Sequence, residues 1–138
     1  RFVHVLSAAI WVGGQLTLSL LLLPLLRRRL PVELRETLSS SIGKRFGIYT
    51  VTVFLPVQIA SGIWLARYHG VTWASLAEPG YGRTLLTKLI VFAVVMLLSG
   101  LHGWAYGTGR LGVARALALG ALLGSCVIVL LAAALAGG

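Results

Sequence analysis

Residues 2–26 read FVHVLSAAIWVGGQLTLSLLLLPLL, and Arg27, Arg28 and Arg29 follow directly. The stretch holds no acid, lysine or arginine, and His4 is its only titratable side chain. A membrane-spanning helix needs about 20 predominantly apolar residues, and basic residues anchor its end among lipid headgroups. Such a run, closed by three arginines, is expected to cross a bilayer. It is also too long for a signal-peptide core, and no small-residue cleavage site follows it.

Three more stretches have the same character: about 46–66 between Arg45 and Arg67, about 84–106, and about 116–135. The whole chain agrees. Of its 138 residues 58% are hydrophobic and only 11% are charged, against roughly a quarter charged in soluble domains. A water-soluble fold of this size could not hide that much apolar surface, so lipid is the expected solvent. The sequence therefore predicts an all-α integral membrane protein, a four-helix bundle formed by a single transmembrane domain over residues 1–138. Arg1 is not a start methionine, so residues are expected upstream. The single cysteine, Cys126, excludes an internal disulfide.

The net charge of +9 does not point to nucleic acid, because the basic residues sit at the ends of apolar runs. They set orientation instead. Arg27, Arg28, Arg29, Arg35, Lys44, Arg45, Arg110 and Arg115 fall on one side, and Arg1, Arg67 and Arg83 on the other. The richer side is expected to be cytoplasmic, which places both termini outside in a multi-pass protein of the cell membrane. Between the first two spans, Pro31 is followed by Val32, Leu34 and Leu38 among Glu33, Arg35 and Glu36. That pattern suggests a short helix on the membrane surface. Residues 67–83 read as a compact loop with one helical turn. Pro24 and Pro56 lie inside spans, where neighbours must satisfy the freed carbonyls. Gly120 and Gly124 form a small-xxx-small pair that suits close helix packing within the chain, or a seam for a second copy.

Ionisable groups inside a membrane are costly and usually functional. Here they are His4, Lys88 and His102. On a helix, spacings of seven and eleven return to one face, so His4, Trp11 and Gln15 share a stripe that Ser7, Ala8 and Gly14 keep narrow. A histidine there could ligate haem iron or carry a proton; the plainer role is a hydrogen bond to a neighbour. Lys88, Val95, Ser99, His102 and Tyr106 share a face of the third span. Lys88 is near enough to the outer surface to snorkel, although its companions suggest an inward face. His102 follows Lys88 by 14 residues, about 21 Å along a helix. It therefore belongs to a separate inner site, or to none. The only acids, Glu33, Glu36 and Glu78, lie in loops. No paired carboxylates, Ser-His-Asp set or phosphate-binding glycine loop is present, so chemistry must come from a bound cofactor or substrate. Met96 and Cys126 are the only sulfur side chains, few for a Cu(I) conduit.

The run VHVLSAAIWVGG (3–14) resembles the first helix of the CopD-like copper-resistance membrane family and of the related HemJ-type protoporphyrinogen IX oxidases. Both have a histidine followed seven residues later by tryptophan and a nearby glycine, here His4, Trp11 and Gly14. KRFGIYTVTVFLPVQIASGIWLA (44–66) and GYGRTLLTKLIVFAVVMLLSGLHGW (80–104) resemble later helices of the same superfamily. The resemblance implies b-type haem, with the essential first-helix histidine and third-helix lysine falling on His4 and Lys88. It departs after the first helix, where Leu21 to Leu26 replace an arginine- and histidine-bearing stretch.

Together these readings lead to an expected function: binding b-type haem or a related tetrapyrrole for redox or tetrapyrrole chemistry. His4 would be the axial ligand, Lys88 a propionate partner or second ligand, and Trp11 and Gln15 would line the site. If the chain is an enzyme, the resemblance implies an oxidoreductase of the protoporphyrinogen oxidase type. One alternative is copper handling. Another is a non-catalytic subunit in a homo-oligomer or a larger, respiratory-type membrane complex.

Overall fold

A computed structural model describes residues 1–137. Among these residues the chain is helical, with no strand. Four helices are long and apolar enough to cross a membrane. They are α1 (Phe2–Arg29), α2 (Val32–Tyr68), α3 (Tyr81–Gly107) and α4 (Leu111–Gly137). Contacts divide the chain into two compact units, Arg1–His69 and a second from Gly70 onward.

In the first unit the only break is at Leu30 and Pro31, where Leu30 is extended and Pro31 caps α2. The surface helix expected between the first two spans is instead the opening of α2. Nothing between Val32 and Phe46 forces a stop: Ser39, Ser40, Ser41 and Gly43 are indifferent helix formers, and the next proline is Pro56. The resulting helix has 37 residues, about 55 Å at ~1.5 Å per residue, longer than the ~40–45 Å of a whole bilayer. Its first turns carry Glu33, Arg35 and Glu36 and suit water or headgroups.

Both in-span prolines follow a widened turn. Leu18–Leu22 of α1 and Thr50–Phe54 of α2 are π-helical. The Leu23 N–H bonds the Leu18 carbonyl, and the Leu55 N–H bonds that of Thr50, each five residues back. A proline has no N–H, and its ring collides with the carbonyl four residues earlier. Widening the turn moves that carbonyl aside and lets the helix continue.

The second unit is a hairpin of α3 and α4. The turn at Gly109 has φ +74°, a conformation glycine adopts without steric cost, and Arg110 lies over the Trp104 ring at 5.0 Å. Gly124 faces Val95 so closely that an added Cβ would come within 2.4 Å of a Val95 methyl, and one on Gly120 would meet Leu98 at 3.3 Å. The small-residue pair is thus spent on packing within the chain. Val95 and Ser125 are fully buried at this seam. Ahead of α3, Thr72 and Ser75 cap one another and open the helical turn Ser75–Ala77, whose backbone rests on Gly82.

Candidate functional site

The polar groups of the first unit gather where α1 runs antiparallel to α2. Going down α1, the inward positions are His4, Ser7, Trp11 and Gly14, in steps of three and four. Ascending partners on α2 meet each of them. The His4 Nδ1 lies 2.8 Å from the Ser61 Oγ. The Gln58 Nε2 donates to the His4 carbonyl at 2.9 Å and to the Ser7 Oγ at 2.8 Å. Trp11 stacks on Phe54 and donates its Nε1–H to the Thr50 Oγ1 at 3.0 Å. A Cβ on Gly14 would come within 2.8 Å of the Phe46 ring.

The hydrogen bonds of Ser61 bear on which nitrogen of His4 carries the proton. Ser61 has one hydroxyl hydrogen, and its oxygen lies against the carbonyl of Val57, one turn back, and more distantly that of Gln58. Carbonyls only accept, so the hydroxyl donates there. Ser61 Oγ can then accept from His4 Nδ1, the arrangement that suits the Nδ1–H tautomer with the ring lone pair on Nε2. Gly62 packs against the Cε1–Nδ1 edge of the ring, where an added Cβ would sit 3.5 Å from Cε1 and 4.0 Å from Nδ1.

Gln58 is the group the sequence reading missed. It is 8% exposed, and such an amide in a membrane helix needs partners. The signal was present: Gln58 and Ser61 are three residues apart in a span otherwise dominated by apolar side chains, hence on one face.

The other candidates are placed as follows. Trp11 is 2% exposed, and its ring and N–H are engaged by Phe54 and Thr50. Gln15 is half-buried one turn further along α1. Lys88 belongs to the second unit and is half-buried on α3. His102 is also in that unit. Its Nδ1 donates to the Ala114 carbonyl at 2.8 Å, and its ring lies 6.4 Å from that of Tyr106. At the end of the first unit that holds Arg1 and Tyr68, Arg1, Trp64, Leu65, Tyr68 and His69 line an open pocket of about 310 Å³. Among the described residues no group of three or more His, Cys, Asp or Glu could hold a metal ion.

No protein-family model matches the chain, and no solved structure matches it. Among curated proteins it is 35% identical over 105 residues to an uncharacterised protein of Aquifex aeolicus (strain VF5), covering 75% of this chain and 66% of that one. It is 32% identical over 104 residues to the copper transport protein CutJ of Bacillus subtilis (strain 168), covering 73% of this chain and 18% of CutJ. The chain thus spans just under two thirds of the first relative and less than a fifth of the second. It is a helical, membrane-type protein with a distant likeness to part of a copper transport protein.

Proposed function

We propose that the chain is a membrane-embedded metal-cofactor protein in which His4 is the ligand, through Nε2, and b-type haem is the cofactor. The observation that carries this reading is the set of contacts converging on His4 inside the span. Its ring is oriented by Ser61, its carbonyl is held by Gln58, and Gly62 packs against the Cε1–Nδ1 edge of the ring. The donor inventory favours haem over a bare ion. A porphyrin brings four nitrogens of its own and asks the protein for one or two axial ligands. A bare copper ion draws its coordination from side chains, preferably sulfur or several imidazoles. When bound, haem would supply one-electron chemistry, and oxidation of a tetrapyrrole substrate is the enzymatic form of the same reading. In the second unit, Lys88 is proposed to meet an anionic group, since α3 and α4 contain no acid. Copper handling is the second reading, favoured by the likeness to CutJ.

An absorption spectrum of detergent-purified protein, with metal analysis, tests both. The haem reading expects a Soret band that shifts on reduction, is lost or displaced in His4→Ala, and is unchanged in His69→Ala. Bound copper without a Soret band would transfer the case to the second reading. An unaltered band in His4→Ala would remove this residue from the site.

A further inference from the structure

We infer that Ser61 is a positioning residue that fixes which nitrogen of His4 ligates metal, with Gln58 as its partner in holding the first helix in register. The inference rests on the reading of His4 as a ligand.

The argument begins with the ring. A neutral imidazole has one protonated and one unprotonated nitrogen, and only the unprotonated one can bind a metal. Left to itself, a histidine exchanges the two tautomers and rotates its ring. In α2 the Ser61 hydroxyl hydrogen is already committed to the Val57 carbonyl, a common arrangement for serine in membrane helices. That commitment leaves Ser61 able to accept but not to donate, so the nitrogen facing it must carry the proton. A metal-binding histidine that donates its other N–H is fixed in tautomer and angle and is made a stronger donor to the metal.

The peptide is held as well. Gln58 donates one amide hydrogen to the carbonyl of His4 itself and the other to Ser7 one turn on. Gln58 and Ser61 are three apart and present one face of α2. One turn of one helix therefore grips both the backbone and the ring of His4. Rotation of α1 would break both contacts together.

The test has two arms. In the first, protein carrying ¹⁵N-histidine, without cofactor, is examined in nanodiscs by long-range ¹H–¹⁵N correlation, with the His4 signal identified by its loss in His4→Asn. The expected result is Nδ1–H on His4 in the parent, a shift toward Nε2–H in Ser61→Ala, and restoration in Ser61→Thr, which keeps the hydroxyl. In the second arm, the loaded protein with Ser61→Ala should bind haem, or copper if that is the metal found, ~10–100-fold more weakly, the usual effect of removing a ligand's outer partner. Its midpoint potential should rise, and Ser61→Thr should recover both. Nε2–H on His4 in the parent, or an unchanged tautomer in Ser61→Ala, overturns the inference. So does loaded Ser61→Ala with parental affinity and potential. If the parent takes up neither haem nor copper, the proposed function fails, while the first arm still decides whether Ser61 sets the tautomer. Helix content by circular dichroism separates misfolding from these outcomes, and Ser61→Thr carries the test should Ser61→Ala not fold.

Discussion

Trp11 lies flat against Phe54, with ring centroids 4.5 Å apart and planes inclined by 5°. Both are 2% exposed. The pair joins α1 to the widened turn of α2, and Thr50 on that turn receives the indole N–H. This face-to-face contact at a buried position ties the two helices together.

Thr50→Val keeps the shape of the side chain but removes the acceptor. The indole N–H is then left without its partner where water does not reach. Such a loss costs about 1–3 kcal/mol in proteins at large, and hydrogen bonds between membrane helices average ~0.6 kcal/mol. We expect about 1 kcal/mol, read from reversible unfolding in mixed detergent micelles. An unchanged midpoint would mean that the stack alone holds the indole.

The two glycines of α4 should respond unequally to alanine. At Gly124 the new methyl would lie 2.4 Å from Val95. Val95 is fully buried, and its β-branched side chain has little rotamer freedom in a helix. Overpacking of this kind costs about 1–3 kcal/mol. At Gly120 the methyl would meet the far end of Leu98 at 3.3 Å, and a flexible leucine can give way. Gly124→Ala should therefore unfold first and Gly120→Ala near the parent. The reverse order would refute the packing described for the hairpin.

Orientation is testable without any cofactor. In a Cys126→Ala background, a cysteine at position 71 should react with an impermeant thiol reagent in intact cells. One at position 40 should react only after lysis. The opposite pattern would invert the eight-to-three reading of the basic residues.

Lys88→Arg and Lys88→Met distinguish pairing from anchoring. If the Lys88 ammonium pairs with an anionic ligand, arginine should largely keep the affinity for that ligand and methionine should lower it about tenfold or more. If it ligates a metal, both should fail. Equal, parental affinity in both variants would make Lys88 a snorkelling anchor.

The four long helices were legible in the sequence because lipid tolerates so few alternatives: about 20 apolar residues between basic ends admit one reading. The stripe through His4 and Trp11 was legible for the same geometric reason. The continuity of α2 was not. Ser39 to Gly43 carry neither the periodicity of a helix nor a breaker, and their conformation is decided by the helix that follows. Gln58 escaped notice because it is not ionisable; its three-residue spacing to Ser61 marks a shared face, but the partner that this face meets on α1 is not written in one span. Pro56 was readable as a problem for its helix, but the wide turn that answers it was not.

That wide turn has a consequence for the gearing of the two helices. In a regular helix each residue advances by about 100°. Phe46, Thr50, Phe54 and Gln58 are four apart, so over their length an ideal helix would carry the last about 120° away from the first. All four nevertheless address α1, through Gly14, Trp11 and Ser7. The slack taken up between Thr50 and Phe54 retards the screw enough to keep them in line, and Ser61 inherits the corrected phase. Pro56, which is not itself one of these groups, thereby times the arrival of Ser61 at His4. Deleting one residue from Thr50–Phe54 to restore a regular helix would swing Gln58 and Ser61 out of mesh with His4, with every polar side chain still present.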